Sequence, residues 1–140
     1  MPTFVGIDYG TRRIGLARAH SDVPIATPAE TLPGTGRPAD DARAVLTWAA
    51  ADPPATYVVG LPLNMDGTDS AQTRLTRQFA AALAAAAAPA AVELWDERLS
   101  SYAADERMRS AAVRPTRQRS ARDALAAQVI LQAYLDAHPR

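Results

Sequence analysis

The sequence predicts an α/β fold, a mixed five-stranded sheet with helices on both faces. Two observations carry this. The N-terminal part holds three strand-like segments, the first two joined through a glycine turn as a hairpin, and the rest of the chain alternates helical and strand patterns. A length of 140 residues allows one sizeable core and is too short for two, so one domain spanning residues 1–140 is expected.

Each element has a local reason. Thr3–Tyr9 reads as a buried strand, because Phe4, Val5 and Ile7 are apolar and β-prone. Gly10-Thr11-Arg12-Arg13 is a polar turn, and residues 14–19 return as the second strand. Residues 22–31 carry Val23 and Ile25 among prolines and alanines. They are expected to form an edge strand, since proline is confined to edges and strand ends. Residues 32–38 read as a turn-rich loop, after which Asp40 or Asp41 is expected to cap a helix running to about residue 51. Residues 56–60, with Tyr57, Val58 and Val59, form the next strand, and 61–68 a loop. A long helix over 70–88 follows, ended by Pro89. Its alanines favour helix, and Leu75, Phe79 and Leu83 mark its core face. A strand at 92–95, a helix at 99–112 capped by Ser100 or Ser101, a proline-containing loop at 113–117 and a last helix at 118–137 complete the chain. This order is the one used by the ribonuclease H-like fold.

Composition excludes several kinds of chemistry. There is no cysteine, hence no disulfide, thiolate zinc site or cysteine nucleophile. There is no lysine either; all 15 cations are arginine, and with 32 alanines this is what a GC-rich coding sequence would give. The N-terminus lacks the basic and apolar regions of a signal peptide, and the longest apolar run, 79–92, falls short of the ~20 residues of a membrane span, so a cytoplasmic protein is expected. No Walker A or Gly-x-Gly-x-x-Gly motif occurs, and neither His20 nor His138 sits in a Ser–His–Asp arrangement. Fifteen acids balance the 15 arginines, and a net charge of zero speaks at first sight against nucleic acid.

Three carboxylates fit poorly on a solvated surface. Asp8 closes an apolar strand directly before a glycine turn, where the ordinary alternative is a turn aspartate binding backbone amides. Glu97 lies just past another strand, beside Asp96, where the alternative is a first-turn helix residue. Asp123 lies on the sheet-facing side of the last helix with Ala127, Ile130 and Tyr134. A lone carboxylate there is costly unless paired or metal-bound, the local partners being Arg119 or Arg122. Asp8 and Glu97 both end strands, where sites gather in open α/β sheets, and the last helix can bring Asp123 to the same edge. Three acids without histidine or cysteine make an oxygen-rich site suited to Mg2+ or Mn2+. Two such ions could activate water and stabilise the leaving oxygen of a phosphodiester.

Arginines cluster beside these acids. Arg109, Arg114, Arg117, Arg119 and Arg122 precede Asp123 with no acid among them, Arg12 and Arg13 follow Asp8, and Arg98 follows Glu97. Arginine pairs bidentately with phosphate, so Arg12, Arg13, Arg98, Arg114, Arg117, Arg119 and Arg122 are candidate nucleic-acid contacts. Asn64 and Thr68, on the loop at the same sheet edge, join them. For any single arginine the plainer alternative is solvated surface charge.

Four segments together resemble the YqgF/RuvX family. They are Gly6-Ile7-Asp8-Tyr9-Gly10-Thr11-Arg12-Arg13-Ile14-Gly15-Leu16-Ala17, Val59-Gly60-Leu61-Pro62-Leu63-Asn64-Met65-Asp66-Gly67-Thr68, Asp96-Glu97-Arg98-Leu99-Ser100-Ser101, and Arg119 to Asp123 with Ala126-Ala127 and Ile130-Leu131-Gln132. They occur in the family's order over nearly the whole chain. The resemblance implies a ribonuclease H-like nuclease with Asp8, Glu97 and Asp123 as its acidic triad, a divalent-metal requirement and phosphodiester hydrolysis. Family members are described as Holliday junction resolvases, which act as homodimers, or as nucleases maturing the 5′ end of 16S rRNA. The junction resolvase is the first expectation and precursor rRNA processing the alternative. In the expected mechanism Asp8 bridges two metal ions, and Glu97 and Asp123 complete their shells. The chain departs from the family pattern in its all-arginine segment before Asp123 and in its glycine- and proline-rich residues 30–38.

Two other classes remain. The first motif also resembles the phosphate loop of actin-like kinases and ATPases, but that fold needs two such domains and a second phosphate motif. A non-catalytic nucleic-acid-binding module on the same fold would typically have lost acidic residues that are present here.

Overall fold

The computed structural model describes residues 2–100 and 115–139. Strands β1 (Thr3–Tyr9), β2 (Arg13–His20) and β3 (Val23–Pro33) form an antiparallel meander. They are followed by helix α1 (Pro38–Ala49), strand β4 (Thr56–Leu61), helix α2 (Ala71–Ala87), strand β5 (Ala91–Asp96), a short 3-10 turn (Glu97–Leu99) and helix α3 (Pro115–Ala137). The five strands lie in the order β3-β2-β1-β4-β5, with β4 parallel to both β1 and β5. This is the mixed sheet expected from the sequence. The expected helix at 99–112 falls largely outside the described residues.

β1 sits mid-sheet and is covered on both faces. Val5, Ile7 and Tyr9 point into a core shared with Val45 of α1 and with Phe79 and Leu83 of α2. Alternation sends Phe4 to the opposite face, where it packs with Val58, Ala127, Ile130, Leu131 and Tyr134. Asp8 shares that second parity, so it belongs to the α3 side of the sheet. β3 is the expected edge strand. Its prolines (Pro24, Pro28 and Pro33) and two irregularities in its register with β2 suit an edge that does not recruit another strand.

Most boundaries fall within two residues of the sequence reading, and three differences are informative. β3 extends through Pro33, so the glycine- and proline-rich stretch is strand up to that residue and turn only beyond it. α3 begins at Pro115 rather than 118, as suits a proline in a first helical turn. Neither Asp40 nor Asp41 caps α1. Arg37 holds the cap position with no side-chain bond, and Pro38 opens the helix. Asp41 instead turns inward. It is fully buried and accepts bonds from the Tyr9 hydroxyl (2.6 Å), the Thr35 amide (2.9 Å) and the Thr35 hydroxyl (2.9 Å). Tyr9, stacked on Phe79, supplies a long-range partner that helix-capping rules cannot register.

Candidate active site

Asp8 lies near the carboxyl end of β1, paired in register with Gly15 of β2, and is the only residue of β1 that is not fully buried. Glu97 begins the turn after β5, two strands away with β4 between. Its carboxylate reaches back over β4 because Gly60 has no side chain: a Cβ at Gly60 would stand 2.9 Å from Glu97 Oε2 and 2.5 Å from Ile130 Cδ1. Asp123 arrives from α3. The helix lies directly on the sheet because β1 and β2 offer glycine beneath it. A Cβ at Gly6 would come within 2.6 Å of Leu131 Cβ, and one at Gly15 within 2.0 Å of the Asp123 carbonyl oxygen. Three glycines in strand interiors therefore seat the helix and the two carboxylates. The sequence reading did not single them out, although glycine inside an otherwise apolar strand is itself a sign of close backbone approach.

The carboxylates act on one another. Burial, and secondarily the charge of Asp123, push the Asp8 carboxyl up from 3.8 to about 6. Burial, then Asp8, then Asp96 push Glu97 up from 4.5 to about 7. Among the described residues neither has an ion-pair partner. Asp123 does: Arg13 Nε donates to its Oδ2 at 2.8 Å. Arg13, the first residue of β2, is a partner the sequence reading did not name beside Arg119 or Arg122, and the side chain of Arg119 lies outside the described residues. No group of three or more metal-ligating side chains is already gathered among the described residues. The donor set nevertheless fits a hard divalent cation, because Asp8 and Glu97 are oxygen donors crowded together with no positive charge against them among the described residues.

That charge deficit has a measurable consequence. Both folded pKa values lie above the unfolded ones, so the folded state binds extra protons between about pH 4 and 7. The resulting stability is fully present below the unfolded values and is lost as pH rises through 6 and 7. In chelator, thermal stability at pH 8 is expected to lack a contribution of a few kcal/mol that is present near pH 5, at ~1.4 kcal/mol per pKa unit. Added Mg2+ is expected to raise the melting temperature more at pH 8 than at pH 5. Equal metal-induced shifts at the two pH values would refute the assignment.

The remaining candidates separate. Arg12 and Arg122 are exposed near the site, and Arg13 is partly exposed while holding Asp123. Asn64 and Thr68 meet on the loop after β4, Asn64 Nδ2 donating to Thr68 Oγ1 at 3.0 Å. Arg98 is committed to Asp96 and to the Met65 carbonyl. Arg114 lies outside the described residues, and for Arg117 and Arg119 only the helix backbone is described.

The profile of the RuvX family, described as Holliday junction resolvase, matches residues 2–137. This chain belongs to the RuvX family. Its relatives include proteins provisionally named pre-16S rRNA nuclease. That from Anaeromyxobacter dehalogenans is 46% identical over 132 residues, covering 94% of this chain and 95% of the relative. That from Myxococcus xanthus is 42% identical, covering 96% and 87%, and that from Chloroflexus aggregans is 40% identical, covering 96% and 94%. Among solved structures, the RuvX chain is similar to Thermus thermophilus RuvC in complex with a Holliday junction substrate, with a TM-score of 0.63 and 17% identity, covering 99% of this chain and 95% of RuvC. A further Thermus thermophilus RuvC structure aligns with a TM-score of 0.53, also at 17% identity, covering 97% and 96%. At that identity the likeness is one of fold, and it is the ribonuclease H-like fold expected from the order of elements. No helix among the described residues is long and apolar enough to cross a membrane.

Proposed function

We propose that this nuclease-family chain is a divalent-metal-dependent endonuclease that hydrolyses precursor 16S rRNA at its 5′ end, with Asp8, Glu97 and Asp123 as its catalytic and metal-holding residues. The observation that carries this is the close approach of Asp8 and Glu97, both raised in pKa, at one sheet edge with Asp123 alongside. Bound Mg2+ or Mn2+ would supply Lewis-acid stabilisation of the phosphoryl group and a more acidic attacking water. Asp8, on the central strand of the sheet, would hold the cation. Glu97 would close it from the β5 side, and Asp123 from α3 once Arg13 turns from it to a substrate phosphate. Arg12 and Arg122, with Arg114, Arg117 and Arg119 in the same stretch of sequence, would grip the backbone; Asn64 and Thr68 would meet it from the loop. In the hydrolysis, water oxygen bonds to phosphorus as the bond to the 3′ oxygen breaks, leaving a 5′ phosphate and a 3′ hydroxyl.

The sequence reading put a four-way DNA junction first. Relatives above 40% identity along nearly the whole chain carry a pre-16S rRNA name, which favours the rRNA substrate. The family's description keeps the junction as a second reading. A homodimer would suit that second substrate, where two cuts must be symmetric, and sedimentation with bound junction tests it. Cleavage of a 16S precursor and a mobile four-way junction, side by side with an Asp8→Asn control, separates the two readings. Efficient, Asp8-dependent cleavage of the precursor is expected; Asp8-dependent cleavage of the junction alone would overturn the rRNA assignment.

Gly60→Ala tests the route by which Glu97 enters. The added methyl would stand 2.5 Å from Cδ1 of the buried Ile130 and 2.9 and 3.0 Å from Oε2 and Cγ of Glu97, side-chain atoms rather than backbone, so a stability cost of about 1–3 kcal/mol is expected. Displacing the carboxylate should still lower kcat by about 100-fold. Unchanged kcat in a folded Gly60→Ala protein would separate Glu97 from the chemistry.

A further inference from the structure

The arginine after Glu97 is read from sequence as a phosphate contact, yet three of its five side-chain N–H donors already have partners within the protein. Arg98 Nε lies 3.1 and 3.0 Å from the two Asp96 carboxylate oxygens, and Nη2 donates to Oδ2 at 2.7 Å. Its backbone amide donates to Asp96 Oδ1 at 2.9 Å, and Nη1 reaches the Met65 carbonyl at 3.2 Å. Asp96 and Arg98 flank Glu97, while Met65 lies in the loop after the neighbouring strand β4. One planar guanidinium therefore ties the end of β5 to that loop.

The loop is built to be held as a unit. The Asn64 amide donates to the Thr68 carbonyl and the Gly67 amide to the Asn64 carbonyl, each at 2.8 Å. The Thr68 amide and hydroxyl both donate to Asp66 Oδ1, at 3.0 and 2.6 Å. Gly67 has φ of +87°, and its Cα face lies against the guanidinium: a Cβ there would be 3.4 Å from Arg98 Nη1. A side chain at this position would be strained by the backbone conformation. Only a fork with separated donors can serve Asp96 and the Met65 carbonyl together; a lysine ammonium is a single point.

We propose that Arg98 is a positioning residue that clamps the 62–68 loop to the turn carrying Glu97, so that Asn64, Thr68 and Glu97 are presented to substrate as one rigid edge, and that it does not itself grip phosphate. The clamp is a property of the protein alone; its effect on turnover rests on the nuclease reading above.

The test compares wild type with Arg98→Lys and Arg98→Gln, and uses Arg122→Gln as a phosphate-contact comparator. Amide hydrogen exchange without metal or RNA is expected to quicken by about tenfold or more at residues 64–68 in both Arg98 variants, because neither side chain can span both partners. Binding of precursor rRNA across a salt series should keep the wild-type slope in Arg98→Gln and lose about one unit of slope in Arg122→Gln. Turnover in both Arg98 variants should show a lower kcat with KM nearly unchanged. Wild-type loop protection in both variants would overturn the clamp, as would a lowered salt slope in Arg98→Gln or full rescue of kcat by Arg98→Lys. If cleavage proves independent of Asp8, the nuclease reading fails, and the exchange measurement still decides the clamp.

Discussion

Replacing Asp8 by Asn is expected to lower single-turnover cleavage of a 16S precursor by at least about a thousandfold, with Mg2+ or Mn2+ present, while the protein stays folded. Asparagine keeps the shape of the side chain and removes its charge. Asp8 stands nearest the centre of the sheet, between the two flanking acids, so a cation held there depends on it most. Its carboxyl is pushed up to about 6, first by burial and then by Asp123, which means that the charged form is under strain in the metal-free fold. Asp8→Asn should therefore melt at or above the wild-type temperature at pH 8 in chelator, even as activity disappears. This pairing of outcomes separates a catalytic carboxylate from a structural one, whose removal would cost stability. Wild-type rates on both the precursor and the four-way junction would sink the assignment.

The largest effect on stability is expected from Gly15→Ala. Its added Cβ would lie 2.0 Å from the carbonyl oxygen of Asp123 and 2.4 Å from the carbonyl carbon, and backbone of a packed helix cannot step aside as a side-chain tip can. α3 must lift from β2, which disturbs Ala127, Ile130, Leu131 and Tyr134 in the core beneath it and carries Asp123 away from Asp8. Overpacking of this kind should cost about 3 kcal/mol or more. Urea unfolding measures the cost, and a change below about 0.5 kcal/mol would mean that the helix does not rest on this glycine. Gly60→Ala is the informative contrast, since there the added methyl meets side chains rather than helix backbone, so the stability cost should be smaller and the loss should fall mainly on chemistry.

The parts of the site that were legible in the sequence are those written in local pattern. Asp8 was visible because an acid closes a run of β-prone apolar residues. Asp123 was visible because it keeps step with Ala127, Ile130 and Tyr134, all of which are buried. Arg98 was legible as a cation beside the site, but a sequence does not show that Asp96 and the Met65 carbonyl hold its guanidinium. Asp41 was misread as a cap for the same reason: its partners, Tyr9 and Thr35, reach it through the fold. Gly15 and Gly60 stood in plain view as glycines inside strands, but what they make room for comes from elsewhere in the chain.

Sequence by itself determined the order of the described strands and helices and the placing of Asp8 and Glu97 at strand ends. Periodicity and turn chemistry act over a few residues, and those are enough to settle such things. Tertiary structure alone decided the pairings: Arg13 with Asp123 across 110 residues, Glu97 over Gly60 toward Asp8, and Arg98 to the loop rather than to open solvent. These depend on which backbone surfaces approach within a few ångströms, and that distance is set by packing of the whole sheet against α3.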